Sequence, residues 1–233
     1  MIWLEDESGL FPHPLSVEDE VIALTNGLST KRLFSAYSHG IFPWYSEGQP
    51  VLWWFPKVRA VLYPDKLKIH KSMRSILLHP PFHISFNRNF EGVIQACSRI
   101  PRKDQDGTWI TAEMVKSYIE LHQQGWAHSV EVWQDDRLVG GLYGVLVGRV
   151  FYGESMFSTV SNASKFALIH LVQHLVPKGL QLIDVQQDTA HLRSMGAEVI
   201  PGETFYNLMR LNQKWYLSHG HIPIISTTVQ KQT

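Results

Sequence analysis

Cysteine is all but missing from this sequence. Cys97 is the only one in 233 residues, which excludes an intrachain disulfide and any cysteine-based metal cluster. A reducing, cytoplasmic setting is expected. Net charge is missing as well. The 21 Lys and Arg are matched by 21 Asp and Glu, so the chain as a whole is not built to coat nucleic acid indiscriminately. No apolar run is long enough to span a bilayer; the most apolar stretch, around Phe166 to Val176, is broken by His170, Gln173 and His174. The opening MIWLEDES has neither a basic region nor a long apolar stretch, so no secretory leader and no membrane partner are expected.

Catalytic signatures are scarce too. There is no G-x-S-x-G, no phosphate-binding P-loop and no G-x-G-x-x-G, which argues against a nucleophile elbow and against a bound nucleotide of the usual kinds. His170 and His174 stand four apart, a spacing that suits zinc on one helical face. No Glu lies between them in the HExxH manner and no third ligand is evident. No metal is expected.

What is present is aromatic and locally basic. Eight Trp among 12% aromatics are a rich supply that must go into a core, a stacking surface or a ligand pocket. Lys57, Arg59, Lys66, Lys68, Lys71 and Arg74 fall close together against one acid, Asp65, whereas the first twenty residues hold no Lys or Arg. The segment GIFPWYSEGQPVLWWFP packs Phe42, Trp44, Tyr45, Trp53, Trp54 and Phe55 between turn formers. Such a segment reads either as a loop folded over a core or as a stacking platform.

Prolines at 12, 14, 43, 50 and 56 predict a small, irregular first unit with one helix from Ser29 through Tyr37 to Gly40. Beyond residue 62 the pattern changes. A basic helix is expected over 71–78, a strand over 82–86, a helix over 90–98, a polar loop over 102–107 and a helix capped by Thr111 that closes at Gly125. Strands over 129–133, 138–147 and 150–157 form a meander. An amphipathic helix over 162–176, a buried strand over 180–185, a short helix over 189–195 and a strand from Val199 follow. The order β-β-β-α-β-α-β resembles the acyltransferase fold of the GCN5-related N-acetyltransferase superfamily. The fold class expected is α+β, with an acetyltransferase-like domain (63–233) behind a small irregular N-terminal one (1–62). Yet 158–165, where an acetyl-coenzyme A enzyme needs glycines to cradle a pyrophosphate, contains none.

Eight motifs occur in one order: GIFPW (40–44), LWWFP (52–56), GTWIT (107–111), HSVEVW (128–133), LVGGLYG (138–144), GESMFS (153–158), NASK (162–165) and LIDVQ (182–186). Together they resemble the leucyl/phenylalanyl-tRNA–protein transferase family over nearly the whole chain, from about Gly27 to Pro201. The resemblance implies an aminoacyltransferase that moves Leu or Phe, and Met less well, from aminoacyl-tRNA to the α-amine of proteins beginning with Arg or Lys. The product is marked for degradation by the N-end rule pathway. It implies no cofactor.

By the same resemblance Asp184 and Gln186 orient the acceptor amine. Two apart on a strand, they are expected to share a face, with Asp184 fixing the Gln186 amide. Glu154 attracts the cationic side chain of the acceptor. Trp44 and Trp109, assisted by Tyr37 and Tyr118, stack on the terminal adenosine. Leu142, Phe151, Leu171 and Ile183 line a pocket for the aminoacyl side chain, although Leu142 and Leu171 stand where relatives can carry Met and Phe. Lys66, Lys68, Lys71 and Arg74 meet the acceptor stem. Proton removal is open to a side chain or to the ribose hydroxyl. A monomer is the default.

Overall fold

A computed structural model describes residues 2–5, 10–100, 109–224 and 228–229. Proline spacing keeps the N-terminal strands short, since each proline removes a ladder donor. They pair into one small sheet with a register shift between Val21 and Ala23, in keeping with the absence of long regular elements. Strands β1 (Ile2–Trp3), β2 (Val21–Thr25), β3 (Phe42–Pro43) and β4 (Val51–Trp54) lie in the order β1-β2-β4-β3. Trp53 is fully buried there and donates its indole N–H to Thr25 Oγ1 at 3.0 Å, a core role rather than a stacking one. Helix α1 (Thr30–Ser38) starts where expected, with the Ser29 hydroxyl accepting from Arg32 N–H.

The large sheet has eight strands. In chain order they are β5 (Val58–Leu62), β6 (His83–Phe86), β7 (Ala127–Gln134), β8 (Arg137–Val147), β9 (Val150–Ser158), β10 (Leu182–Gln186), β11 (Glu198–Pro201) and β12 (Thr228–Val229). Their spatial order is β11-β5-β10-β9-β8-β7-β6-β12, and only β9 and β10 run parallel. The meander β7-β8-β9 is its centre, as alternation predicts. Strand β5 enters this sheet between β10 and β11 although it follows the N-terminal aromatic segment directly.

Helices α2 (Lys71–Leu78), α3 (Phe90–Arg99), α4 (Ala112–Gln123), α5 (Ala163–Leu175) and α6 (Ala190–Ser194) fall within a few residues of their expected positions; the polar loop at 102–107 lies outside the described residues. Two differences stand out. Helix α5 is not amphipathic. Eight of its residues are buried, so it is enclosed nearly all round rather than facing water along one stripe. It reaches the sheet closely because a Cβ at Gly140 would sit 2.5 Å from the Ala163 Cβ. Helix α7 (Gly202–His219), an addition to the expected elements, follows β11. Its Phe205 and Met209 pack into the core, and Asn212 clasps the β8–β9 turn by donating to Val147 O and accepting from Arg149 N–H.

Two apolar clusters result. One joins the N-terminal sheet, α1, α3, α4 and one face of the large sheet. The other joins α5 to the opposite face. No helix among the described residues is long and apolar enough to cross a membrane.

Candidate functional site

Strand alternation sends Leu142 from β8, Phe151 from β9 and Ile183 from β10 towards α5, where Leu168 and Leu171 face them. The side chains do not fill the space between sheet and helix. A cavity of about 340 Å³ remains, with these apolar groups and Met156 in its wall. Phe42, Pro43, Trp44 and Trp109 also line it. Both tryptophans are partly exposed, and the Trp44 carbonyl accepts from Trp54 Nε1 at 2.8 Å. The volume lies in the range of small-ligand pockets. Its wall is apolar enough to take an unbranched or γ-branched side chain out of water.

At one end the wall turns polar. Glu154 of β9 is 7% exposed. Its Oε2 accepts from Tyr118 OH at 3.0 Å and its Oε1 from Gln186 Nε2 at 2.9 Å. Tyr118 OH is in turn in very short contact with Tyr37 OH. Burial pushes the Glu154 carboxyl up from 4.5 to about 7, although the hydrogen bonds from Tyr37, Tyr118 and Gln186 pull the other way. Burial likewise raises the hydroxyl pKa values of Tyr37 and Tyr118, so both act as O–H donors.

Asp184 and Gln186 do not share a face. Asp184 pairs with Val61 of β5 and Gln186 with Ala60, so Val185 is bulged out. Gln186 has φ +58°, in the left-handed region that non-glycine residues seldom occupy. The bulge breaks the alternation and turns Gln186 onto the cavity side with Ile183 and Val185, while Asp184 is fully buried on the other side. Asp184 does not bond the Gln186 side-chain amide directly. Its Oδ1 accepts from the Gln186 main-chain N–H at 3.0 Å, and the amide is held by Glu154.

Of the residues singled out in the sequence, Trp44, Trp109, Leu142, Phe151, Glu154, Leu171, Ile183 and Gln186 meet at the cavity. Tyr37 and Tyr118 do not line it; both are fully buried, and Tyr118 bonds Glu154 in its wall. Lys66, Lys68, Lys71 and Arg74 are exposed and sit apart. Their segment docks on the α6 edge of the cavity through Lys68 N–H to Met195 O at 2.9 Å and His70 Nε2 to Ser194 O at 2.7 Å. Lys66 is engaged with Glu198 at 2.6 Å. Arg59, counted in the sequence with the basic stretch, is instead wholly buried against Asp184. His170 and His174 point into packing. One stands edge-on to Phe166 and the other stacks on Phe86 at 4.2 Å. Among the described residues no group of three or more His, Cys, Asp or Glu is disposed to hold a metal.

Comparison with known proteins identifies the family. The family described as leucyl/phenylalanyl-tRNA protein transferase matches residues 61–210, and the N-terminal domain of that transferase matches residues 26–57. The chain belongs to this aminoacyltransferase family. Relatives so named include one from Nitrosospira multiformis, 47% identical over 94% of this chain and 98% of the relative. Others are from Christiangramia forsetii, 52% identical over 86% and 95%, and Syntrophus aciditrophicus, 53% identical over 85% and 83%. Among solved structures, L-PGS from Bacillus licheniformis aligns over 85% of this chain and 74% of its own with 10% identity and a TM-score of 0.40, a likeness too loose to assign a fold family. The transferase family thus rests on sequence, and the architecture established here is mixed α+β.

Proposed function

We propose that this transferase moves Leu or Phe, and Met less well, from aminoacyl-tRNA to the α-amine of proteins that begin with Arg or Lys, marking them for N-end rule degradation in the cytoplasm. The observation that carries the reading is the join of an apolar cavity to the Gln186–Glu154 pair, with Trp44 and Trp109 in the lining. The aminoacyl side chain enters the cavity beside Leu142, Phe151, Leu171 and Ile183. The terminal adenosine lies on the tryptophans. The basic segment bearing Lys66, Lys68, Lys71 and Arg74, docked at the α6 edge, follows the acceptor stem.

The reaction is aminolysis of an ester. The acceptor nitrogen attacks the ester carbonyl, the C–N bond forms, the bond to the ribose oxygen breaks, and the amine proton ends on that oxygen. An α-amine titrates near pH 7.7–8.0, so roughly a tenth or more is neutral at cellular pH. An activated ester then needs alignment more than a strong base. With Gln186 Nε2 committed to Glu154, Gln186 Oε1 is the atom that accepts from the amine. Glu154, ionised above about pH 7, supplies the negative charge for the Arg or Lys side chain. In this reading the chain acts as a monomer and comprises a small N-terminal unit (1–62) and an acetyltransferase-like one (63–233), the first lending β5 to the sheet of the second. No cofactor takes part.

The test is transfer of labelled leucine from Leu-tRNA to a peptide beginning with Arg. A peptide beginning with Ala, free leucine with uncharged tRNA, and Gln186→Ala are the controls. Transfer to the Arg peptide alone, lost in the variant, is expected. No transfer from Leu-, Phe- or Met-tRNA would sink the reading.

A further inference from the structure

Behind the cavity lies a charged cluster that touches no substrate in the mechanism above. Arg59 of β5 has no exposed surface. Its Nε donates to Asp184 Oδ1 at 2.8 Å, and its Nη2 donates to Asp184 Oδ2 at 2.6 Å and to the Gly40 carbonyl at 2.9 Å. The guanidinium carbon lies 4.5 Å from the ring centroids of both Phe42 and Phe205. One side chain therefore joins β10, the turn after α1, β3 and α7. Phe42 lines the cavity with Trp44, and β10 carries Gln186, so Arg59 ties the two walls of the cavity together from behind.

The connection to Gln186 is direct. The Asp184 oxygen that accepts from Arg59 Nε also accepts from the Gln186 main-chain N–H, at 3.0 Å. That bond crosses the bulge and holds Gln186 in its left-handed conformation, which a residue with a Cβ does not prefer. A carboxylate free to rotate would not hold it. The planar fork of arginine fixes the carboxylate at two points while a further N–H fixes Gly40, an arrangement that a lysine ammonium cannot reproduce.

We propose that Arg59 is a positioning residue for aminoacyl transfer: through Asp184 it sets the main chain of Gln186, and so aims the Gln186 amide at Glu154 and the cavity. This rests on the role given to Gln186 above. Arg59 itself touches no reacting atom.

Two variants test it. Arg59→Lys keeps the charge opposite Asp184 but loses the fork. Arg59→Met combined with Asp184→Asn removes both charges together, so that no unpaired ion is left in the core. Two measurements are made on each. Hydrogen exchange by NMR of the Gln186 main-chain amide reads the placement without reference to activity, with the amides of β7 and β8 as internal standards. Transfer kinetics from Leu-tRNA to an Arg-initiated peptide read the consequence. In both variants Gln186 protection is expected to fall at least about tenfold while β7 and β8 keep theirs. The expected loss in kcat is about 100-fold, with KM for both substrates within about threefold. Unchanged Gln186 protection in either variant overturns the proposal. So does lost protection with normal kcat, because Arg59 would then only stabilise the fold. A wild-type protein that transfers nothing refutes the functional reading instead, and the exchange measurement still decides whether Arg59 places Gln186.

Discussion

Replacing Glu154 by Gln separates what burial does to this side chain from what its charge does for the reaction. In the folded chain the carboxyl titrates at about 7 rather than 4.5. The difference of about 2.5 units, at 1.36 kcal/mol each, amounts to about 3 kcal/mol. Because the folded value is the higher one, the folded state binds this proton more tightly than the unfolded state. The stabilising effect is complete below about pH 4.5 and is lost as the pH rises through about 7. At pH 8 the wild type therefore holds a buried anion that the variant does not. The neutral amide introduced by Glu154→Gln can keep the local network. Its carbonyl accepts from Gln186 Nε2, and its N–H donates to Tyr118 OH, which then donates to Tyr37. Glu154→Gln is expected to be more stable than wild type by about 3 kcal/mol at pH 8, by under about 1 kcal/mol at pH 5, and by nothing measurable at pH 4. For a chain of this size the pH 8 difference corresponds to a rise in Tm of about 6–12 °C. Urea denaturation at the three pH values measures it, and taking differences cancels the buried histidines. Transfer to an Arg-initiated peptide should fall in the variant and lose the inflection near pH 7 expected of the wild type, keeping only the rise due to the acceptor α-amine near pH 7.7–8.0. A variant less stable at pH 8, or a stability difference that does not change with pH, would refute the argument from burial.

Other changes test other parts of the molecule. Leu171→Phe adds volume to the cavity wall and should lower transfer of Phe relative to Leu by about tenfold, measured as a ratio of kcat/KM values on the two charged tRNAs. Gly144→Ala would place a Cβ 2.1 Å from the Tyr152 carbonyl and 2.7 Å from the Phe151 ring; a loss of about 3 kcal/mol or more is expected in urea denaturation, since backbone cannot retreat as a side-chain end can. Replacing Lys71 and Arg74 together by Ala should weaken tRNA binding and reduce the slope of log affinity against log salt by about 2, with KM for the peptide unchanged.

The sequence by itself determined most of the elements and their order. Alternation in β7, β8 and β9 and the caps at Ser29 and Thr111 are local signals, read over a few residues, and the helices and strands stand where those signals put them. The apolar wall of the cavity was legible through the resemblance carried by motifs such as LVGGLYG, GESMFS and LIDVQ. Helix α7 carries a local signal of its own: Phe205, Met209 and Asn212 are spaced four and three apart and all are buried. Local patterning was misleading at α5, where polar residues among apolar ones suggested an exposed stripe; packing against the sheet and α2 enclosed the helix instead.

What only the tertiary structure decided is the arrangement of the polar groups. Two residues apart on a strand means one face only while the ladder is regular. The bulge at Val185 depends on the register between β10 and β5, segments more than a hundred residues apart, and it put Asp184 and Gln186 on opposite sides. Arg59 stands in the sequence as one cation of a basic run, and nothing near it in sequence indicates burial. Its partner is Asp184, 125 residues away. A buried ion pair is stable only when both charges, the fork geometry and the surrounding rings arrive together. That coincidence is a property of the folded chain and has no period, spacing or composition by which a sequence could announce it.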